Sequence, residues 1–288
     1  MEAADYGQNE IQAELKFSSA SSKAGGAVFL SDVDATIDSN DNVYEYCFTN
    51  LGGGGALAVH NSGLDDADSS YMFTAAYKGG GIYFNGGTVG GTLTLTNPVF
   101  EQTQAQQGGG LYVEGISYVE LVNADVTDVW AFTDGGFFYA AGGAGSTLDF
   151  DTGFTLAGCE SENGCFHVSA DMDVTQNIVD ADLSDTTYPV TASDVSGGLW
   201  YFADDMSGTV ILRYGKYEDL NAATEAGGFL TSAADSLDLT AEYLTIYCQT
   251  GVTFTLSDIQ EQLEASAGSR AGAIYINDQS LDSTVLSN

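Results

Sequence analysis

The stretch Gly108-Gly109-Gly110-Leu111-Tyr112-Val113 decides the fold, because versions of it recur along the whole chain. Each version is a small residue and a glycine followed by a short apolar segment, as in Gly79-Gly80-Gly81-Ile82-Tyr83-Phe84. The second glycine of each copy, or its equivalent, stands at positions 26, 55, 80, 109, 136, 164, 198, 228 and 272. The copies are about 31 residues apart, and a fixed spacing of this size indicates a repeat architecture.

Between these copies, short segments alternate between apolar and polar residues. Thr92-Leu93-Thr94-Leu95-Thr96 and Ser236-Leu237-Asp238-Leu239-Thr240 are two examples. Such alternation is typical of β-strands, whereas helical repeats need a period of about 3.6 residues that this chain does not show. The sequence therefore predicts an all-β fold: a right-handed parallel β-helix of the pectin-lyase-like kind, a solenoid with one coil for each of about nine repeats.

Two segments depart from the repeat. Residues 1–24 precede the first copy, and we expect them to form a capping or entry segment for a β-helix that spans residues 25–288. The last gap between copies is the longest and contains Ser257-Asp258-Ile259-Gln260, a helix capping box. This capping box predicts one short inserted helix over residues 257–267.

Aligning the copies separates the interior from the exterior positions of the repeated strand. The second and fourth residues after the glycine are almost all apolar and share one face, so they point into the rod. The third residue must then point outward, and it forms a largely aromatic column: Phe29, Tyr83, Tyr112, Tyr139, His167, Tyr201 and Tyr275. This aromatic ladder has three open interpretations: stacking that stabilises adjacent coils, a contact surface for another rod, and a platform for sugar rings.

The repeated segments resemble those of a bacterial family. Gly54-Gly55-Ala56, preceded by Phe48-Thr49-Asn50, is similar to the Gly-Gly-Ala-Ile and Phe-x-x-Asn repeats of the chlamydial polymorphic outer membrane proteins and related autotransporter-like passengers. Ala27 and Ala273 keep the small residue of these repeats, whereas Phe137 departs from it. The resemblance implies a β-helical, surface-exposed and often adhesive protein.

The charge of the chain limits its partners. Six Lys and Arg stand against 41 Asp and Glu, so the formal net charge is −35. Every phosphate contact would add repulsion, which excludes nucleic acid as a natural partner and disfavours docking on anionic lipid. No segment approaches the roughly 18 apolar residues of a membrane helix, so we expect no direct membrane insertion. The expected partners are copies of the chain or other surface proteins, with glycans as a further option.

The cysteines bear on the compartment in which the protein acts. Cys159 and Cys165 bracket a short polar loop that contains a glycine and suits a small disulfide ring. Free buried thiols are the second option and a metal site is the third. The residues after Met1 do not read as a signal peptide. We nonetheless expect an extracellular or cell-surface location, with this sequence as a mature or excised piece of a longer chain.

The residue types do not favour an enzyme. Lyases of uronates need cationic side chains around the substrate, and the few Lys and Arg are scattered. Glycoside hydrolases need convergent carboxylates, but Asp65-Asp66 and Asp204-Asp205 are neighbours that point to opposite faces of a strand. His60 and His167 have no evident Ser and Asp partners. We predict a non-enzymatic structural or surface rod, with a carbohydrate-binding adhesin as the first alternative and a polysaccharide lyase or hydrolase as the second.

No cofactor is expected, although divalent cations are candidate ligands of the acidic corners. The segment Asp38-Ser39-Asn40-Asp41-Asn42 begins like an EF-hand loop, but Val43 replaces the turn glycine and Thr49 replaces the bidentate glutamate. A solvated acidic corner is the simpler interpretation. Weak cation binding is the other option, at Asp32, Asp34 and Asp38 or along Asp180-Ala181-Asp182.

Overall fold

The computed structural model shows an all-β parallel solenoid, so the predicted β-helix fold is confirmed. It describes residues 10–11, 16–18, 21–22, 25–33, 36–87, 91–141, 146–150, 153–169, 172–176, 190–196, 198–203, 206–218, 220–221, 229–233, 236–247, 253–254, 274–276 and 281–287. No α-helix occurs in these ranges. The predicted helix over residues 257–267 lies outside the described residues.

The strands are short and follow one another around the coils. The first are β1 (Glu10–Ile11), β2 (Lys16–Ser18), β3 (Ser21–Ser22), β4 (Val28–Ser31), β5 (Thr36–Asn40), β6 (Val43–Glu45), β7 (Phe48–Thr49), β8 (Leu57–His60), β9 (Gly63–Ala67) and β10 (Ser70–Met72). Next come β11 (Ile82–Asn85), β12 (Gly91–Thr96), β13 (Val99–Glu101), β14 (Gln104–Gln107), β15 (Leu111–Glu114), β16 (Ile116–Val122), β17 (Asp125–Asp134), β18 (Phe138–Ala141), β19 (Ser146–Phe150), β20 (Phe154–Glu160) and β21 (Phe166–Ser169). The remaining strands are β22 (Met172–Gln176), β23 (Val190–Ser196), β24 (Trp200–Phe202), β25 (Ser207–Glu218), β26 (Leu220–Asn221), β27 (Leu230–Ser232), β28 (Ser236–Tyr247), β29 (Thr253–Phe254), β30 (Ile274–Ile276) and β31 (Leu281–Ser287).

Equivalent strands of successive coils stack in parallel. The repeated apolar segments form a nine-stranded sheet, here called the front sheet, in the order β30-β27-β24-β21-β18-β15-β11-β8-β4. The described residues complete about six coils, fewer than the nine that the repeats predict.

Three further stacks complete each coil. The second stack begins β1, β5, β9, β12, β16 and β19, and the third begins β2, β6, β10 and β13. The fourth stack begins with β3, β7 and β14 and continues through the second halves of β17, β20 and β23 to β26. The segment 1–24 thus contributes a strand to each of these three stacks. Its capping role stays a prediction.

The repeated Gly-Gly pair has two different physical causes. Gly79 adopts a left-handed backbone with φ 62°, and a Cβ there would overlap the carbonyl oxygen of Ile82. Gly80 faces the next coil, where a Cβ would overlap the carbonyl oxygen of Gly109. The first glycine therefore makes the corner before the front sheet, and the second allows adjacent coils to approach within hydrogen-bonding distance.

Polar side chains tie the corners of successive coils together. Asp68, Asn97 and Asn123 occupy equivalent corners in the left-handed conformation, which Asn and Asp tolerate better than most residues. Asn97 Nδ2 donates to Asp68 Oδ1 at 2.8 Å, and Asn123 Nδ2 donates to Asn97 Oδ1 at 2.8 Å. These hydrogen bonds run parallel to the rod axis and reinforce the backbone pairing.

The interior is lined by the two apolar columns that the aligned repeats predict. From β8 to β27 both columns of the front sheet are buried, including Ile82, Leu111, Phe138, Phe166 and Trp200 in one and Val59, Phe84, Val113, Val168 and Phe202 in the other, whereas Val28 and Leu30 of β4 are half-buried. The inward assignment of these columns is confirmed. The third residue between them must therefore lie on the outer face, where the candidate site begins.

Candidate functional site

The aromatic ladder lies on the outer face of the front sheet. Backbone pairing aligns Tyr83, Tyr112, Tyr139, His167 and Tyr201 in successive strands. Their rings follow one another at centroid distances of 5.6, 5.0, 4.8 and 4.8 Å, in nearly parallel planes. These distances are within the range of offset-stacked aromatic pairs. The structure thus brings five of the predicted ladder residues into one continuous stack.

The stack reaches Phe29 through a residue that sequence analysis missed. Phe29 is in register with Ala58, which has no ring. His60 follows Ala58 by two residues, lies on the same outer face, and places its ring 5.6 Å from Phe29 and 5.2 Å from Tyr83. The sequence does contain a sign of this role: where the column has the small residue Ala58, an aromatic ring follows two positions later on the same face of the strand. Tyr275 pairs with Thr231 through its backbone, and its side chain is outside those that the structure describes. We call the following residues the ring stack: Phe29, His60, Tyr83, Tyr112, Tyr139, His167 and Tyr201.

The inner rings of the ring stack are covered, although the sequence predicts an exposed aromatic stripe. Tyr112 exposes 3% of its surface and His167 exposes 6%, whereas Phe29 at the end exposes 50%. Each inner ring is flanked by the faces of its two neighbours, and Lys78 Nζ lies 4.3 Å from the centroid of the Tyr112 ring. The expectation of an exposed stripe is therefore wrong for Tyr83, Tyr112 and His167, whereas Tyr139 and Tyr201 are half-buried. Because the faces of the inner rings are occupied, they are unsuited to be a platform for sugar rings.

Hydrogen bonds hold the hydroxyl edges of the ring stack. Lys78 Nζ donates to Tyr112 Oη at 2.7 Å, and the Tyr83 hydroxyl donates to the Glu114 carboxylate. Asn85 Nδ2 also donates to Glu114 Oε1, at 2.7 Å. Burial and the bond to Glu114 raise the pKa of Tyr83 to about 12, and burial also raises the pKa of Tyr112. Both phenols therefore stay protonated at neutral pH and act as hydrogen-bonding struts.

His167 belongs to the same structural network. Its ring lies between those of Tyr139 and Tyr201, and its Nδ1 is 3.8 Å from Asp134 Oδ1. Asn163 Nδ2 donates to the same Asp134 oxygen at 2.8 Å. A histidine held between two rings is positioned for stacking, and its environment resembles that of the tyrosines on either side.

The two cysteines of the predicted ring are joined. Cys159 at the end of β20 and Cys165 just before β21 form a disulfide with their Cα atoms 6.2 Å apart. The bond closes the loop between the fourth stack and the front sheet, and the Ser161 hydroxyl donates to the Gly164 carbonyl within it at 2.9 Å. Cys47 is buried and its thiol donates to the Glu45 carbonyl oxygen at 3.5 Å, and Cys248 lies outside the described residues.

The acidic corners carry local hydrogen bonds. The Asp32 carboxylate accepts hydrogen bonds from Ser31 Oγ at 2.6 Å and from Asn61 Nδ2 at 3.0 Å, and these bonds lower the pKa of Asp32. Asp38 lies on β5, whereas Asp34 and residues 180–182 are outside the described residues. In the described ranges, no group of three His, Cys, Asp or Glu side chains is placed to hold a metal ion. Weak cation binding stays a prediction.

One carboxylate points into the core. Asp65 and Asp66 face opposite sides of β9, as the alternation requires, so that Asp65 is exposed and Asp66 is fully buried. Ser69 Oγ donates to Asp66 at 2.8 Å, and Tyr71 Oη donates to it at 2.6 Å. A further hydrogen bond comes from Ser39, but burial dominates and raises the pKa of Asp66. Burial of this carboxylate lowers the stability of the second stack. Because Asp66 and Asp65 point to opposite faces of β9, they cannot act together as the two carboxylates of a glycoside hydrolase.

The exposed aromatic surface lies on another side of the rod. Apart from Phe29, the large exposed apolar side chains of the described residues lie on the strands of the fourth stack or at the corners just before and after them. They are Tyr46, Phe48, Leu51, Tyr77 and Phe132. Among them runs a groove of about 330 Å³, the corner groove, which is lined by Phe73, Gln102, Gln104, Asp128 and Trp130. Sequence analysis missed this groove, because its residue types differ from coil to coil and form no repeated motif.

In the described ranges, no helix is long and apolar enough to cross a membrane. No family model, curated protein or solved structure matches the chain.

Proposed function

We propose that the chain forms a non-enzymatic rod of an extracellular or cell-surface structure, which associates with copies or partners through its end. The observation that carries the proposal is the exposed terminal ring of the ring stack. Phe29 is half exposed, whereas Tyr83 and Tyr112 further along are buried. An exposed ring that continues a covered column is an apolar surface of the kind that marks interfaces.

The edge strand of the front sheet also favours this end of the rod as the site of association. β4 lies last in the order of this sheet and alternates between half-buried and exposed positions, whereas β8 and β11 are buried at their first three positions. An edge strand presents backbone N–H and C=O groups that can pair with a further strand. A partner strand added to β4 would extend both the sheet and the ring stack. Between copies, this would be a heterologous contact that propagates along the rod.

The proposal gives the inner rings a role within the rod. Cross-strand aromatic pairs contribute about 0.2–1 kcal/mol each to a sheet. A stack that runs through successive coils therefore stabilises every coil junction that it crosses. Contact with a second rod along the side of the front sheet is less well supported, because the inner rings offer little exposed surface.

The location and the absence of catalysis rest on separate observations. Disulfides persist in oxidising compartments, so the Cys159–Cys165 bond favours an extracellular setting. The resemblance to polymorphic outer membrane proteins implies surface display. The opposed side chains of Asp65 and Asp66 favour a non-enzymatic role. A polysaccharide lyase or hydrolase is the competing proposal, and release of sugar products by the purified protein would establish it.

The test compares Phe29→Asp with Phe132→Asp by sedimentation velocity at about 0.15 M and about 1 M salt. The wild-type protein should associate, and more strongly at high salt, because salt screens the repulsion from a net charge of −35. Phe29→Asp should abolish the association. Phe132→Asp places the same charge on an equally exposed ring of another side and should leave it unchanged.

Thermal unfolding of both variants confirms that they fold. A wild-type protein that stays monomeric at both salt concentrations would contradict the proposal. Association that is lost in Phe132→Asp but kept in Phe29→Asp would move the contact to the fourth stack.

A further inference from the structure

The corner groove combines aromatic rings with free hydrogen-bonding groups. Phe73, Gln102 and Asp128 occupy the same corner in three successive coils, each in the left-handed conformation with φ 54°, 52° and 52°. Gln104 and Trp130 are paired neighbours in the adjoining fourth stack. The groove therefore spans two coil steps, or about 10 Å along the rod.

The aromatic walls are held from outside the groove. Phe73 stacks on Tyr46 at a centroid distance of 4.9 Å, and the Trp130 ring meets the Phe132 ring edge-on at 4.6 Å. These contacts restrain both rings, so a ligand would not have to order them. Rigid aromatic walls with a few polar groups are typical of small-ligand sites, and 330 Å³ is at the lower end of their usual size.

The polar groups of the groove are available for a ligand. Within the described residues, the side chains of Gln102, Gln104 and Asp128 form no hydrogen bond with the protein. The two amides can both donate and accept, and the carboxylate accepts. Hydroxyl groups, which donate and accept at once, match this set.

We propose that the corner groove binds a short uncharged oligosaccharide. The C–H face of a sugar ring would pack on Trp130, and its hydroxyls would bond to Gln104 and Asp128. The groove contains no cation, and the whole chain is strongly acidic, so uronates and sulfated sugars are disfavoured. A proline-rich peptide also uses aromatic grooves, but it would leave most of the polar lining unpaired.

Tryptophan fluorescence offers a direct readout. The chain has two tryptophans, and Trp200 is buried with 2% of its surface exposed. Quenching by acrylamide therefore reports on Trp130. Neutral oligosaccharides of glucose, mannose and N-acetylglucosamine are the probes. An oligogalacturonate and a proline-rich peptide are tested separately, as the alternative classes of ligand. At least one neutral oligosaccharide should protect Trp130 from quenching.

Calorimetry on variants tests the contacts. Trp130→Ala should lower the affinity for that oligosaccharide about tenfold or more, and Gln104→Ala and Asp128→Ala should lower it severalfold. Phe29→Ala removes an exposed ring of the ring stack and should leave the affinity unchanged, which also separates this site from end-to-end association. The proposal is overturned if no neutral oligosaccharide binds, or if Trp130→Ala binds it normally. It is equally overturned if the oligogalacturonate or the peptide is the ligand that protects Trp130.

Discussion

Outward aromatic rings stack along this rod in two places, at the ring stack and at the corner groove, and the two stacks differ in whether they continue from coil to coil. In the ring stack, successive coils each supply a ring, and the inner rings cover one another. At the corner groove, Tyr46 and Phe73 stack, but Gln102 and Asp128 follow in the next coils. The interruption leaves ring surface and polar groups facing solvent. An outward aromatic column thus becomes structure where it is continuous and a candidate binding surface where it is broken.

Removing one ring from each region tests whether an uninterrupted stack contributes more to stability. Tyr112→Ala should lower the free energy of unfolding by about 3 kcal/mol, because it deletes a covered ring with two stacked neighbours. Phe73→Ala should cost less, about 1 kcal/mol, since it removes one stacked pair at a half-open corner. Urea unfolding measures both values. Equal losses would show that continuity of the column does not decide its contribution.

A smaller loss of stability is expected on substitution of His60, the residue that bridges the gap in the ring stack at Ala58. His60→Ala should lower the free energy of unfolding by about 1 kcal/mol, because the ring contacts with Phe29 and Tyr83 are lost. His60→Phe keeps a ring at the same place and should retain most of the stability. If alanine and phenylalanine at this position behave alike in urea unfolding, the ring stack does not extend through His60.

The apolar interior is interrupted by one buried carboxylate, Asp66, and its contribution to the stability of the fold depends on pH. Asp66 stands in register with Leu95 of the next coil, and burial raises its pKa in the folded state. Above the unfolded-state pKa of about 4, the unfolded chain ionises this group more readily than the folded chain does. The wild-type protein should therefore lose stability as pH rises from about 4 towards the folded-state pKa.

Asp66→Asn removes this contribution and should raise the stability near pH 7 by on the order of 1 kcal/mol, with less effect near pH 4. Asp65→Asn alters the exposed neighbour on the opposite face and serves as the matched control. Urea unfolding across this pH range measures the difference. A gain that is the same at both pH values, or that appears equally in Asp65→Asn, would show that burial of the Asp66 charge is not its cause.

The repeat made much of the fold predictable. A glycine at a left-handed corner and a glycine against the next backbone cannot be replaced freely, so Gly79 and Gly80 mark the period in the sequence. Alternation then separates Ile82, which packs in the main core, from Tyr83, which packs with Ala58 and Tyr112 on the outer face. These are local constraints, and a single chain displays them directly.

The surface properties were harder to predict, because they depend on neighbouring coils. Alternation places Tyr112 on the outer face, but only the spacing of adjacent rings shows that its faces are covered. The alignment did not place His60 in the aromatic ladder, because this residue lies two positions after the aligned column. The corner groove arises from Phe73, Gln102 and Asp128, whose common feature is a backbone conformation and not a residue type.

The glycine contacts between coils also bear on how the length of this rod can change. The backbone opposite Gly26 is Gly55, the backbone opposite Gly55 is Gly80, and the backbone opposite Gly80 is Gly109, so each junction repeats the one before it. Excision of residues 80–108 would bring Gly109 against Gly55 and re-create the same junction. The rod would become shorter by about 4.8 Å, with its interior columns still in register. Length is therefore a modular trait of this gene, open to change by recombination between repeats one coil at a time.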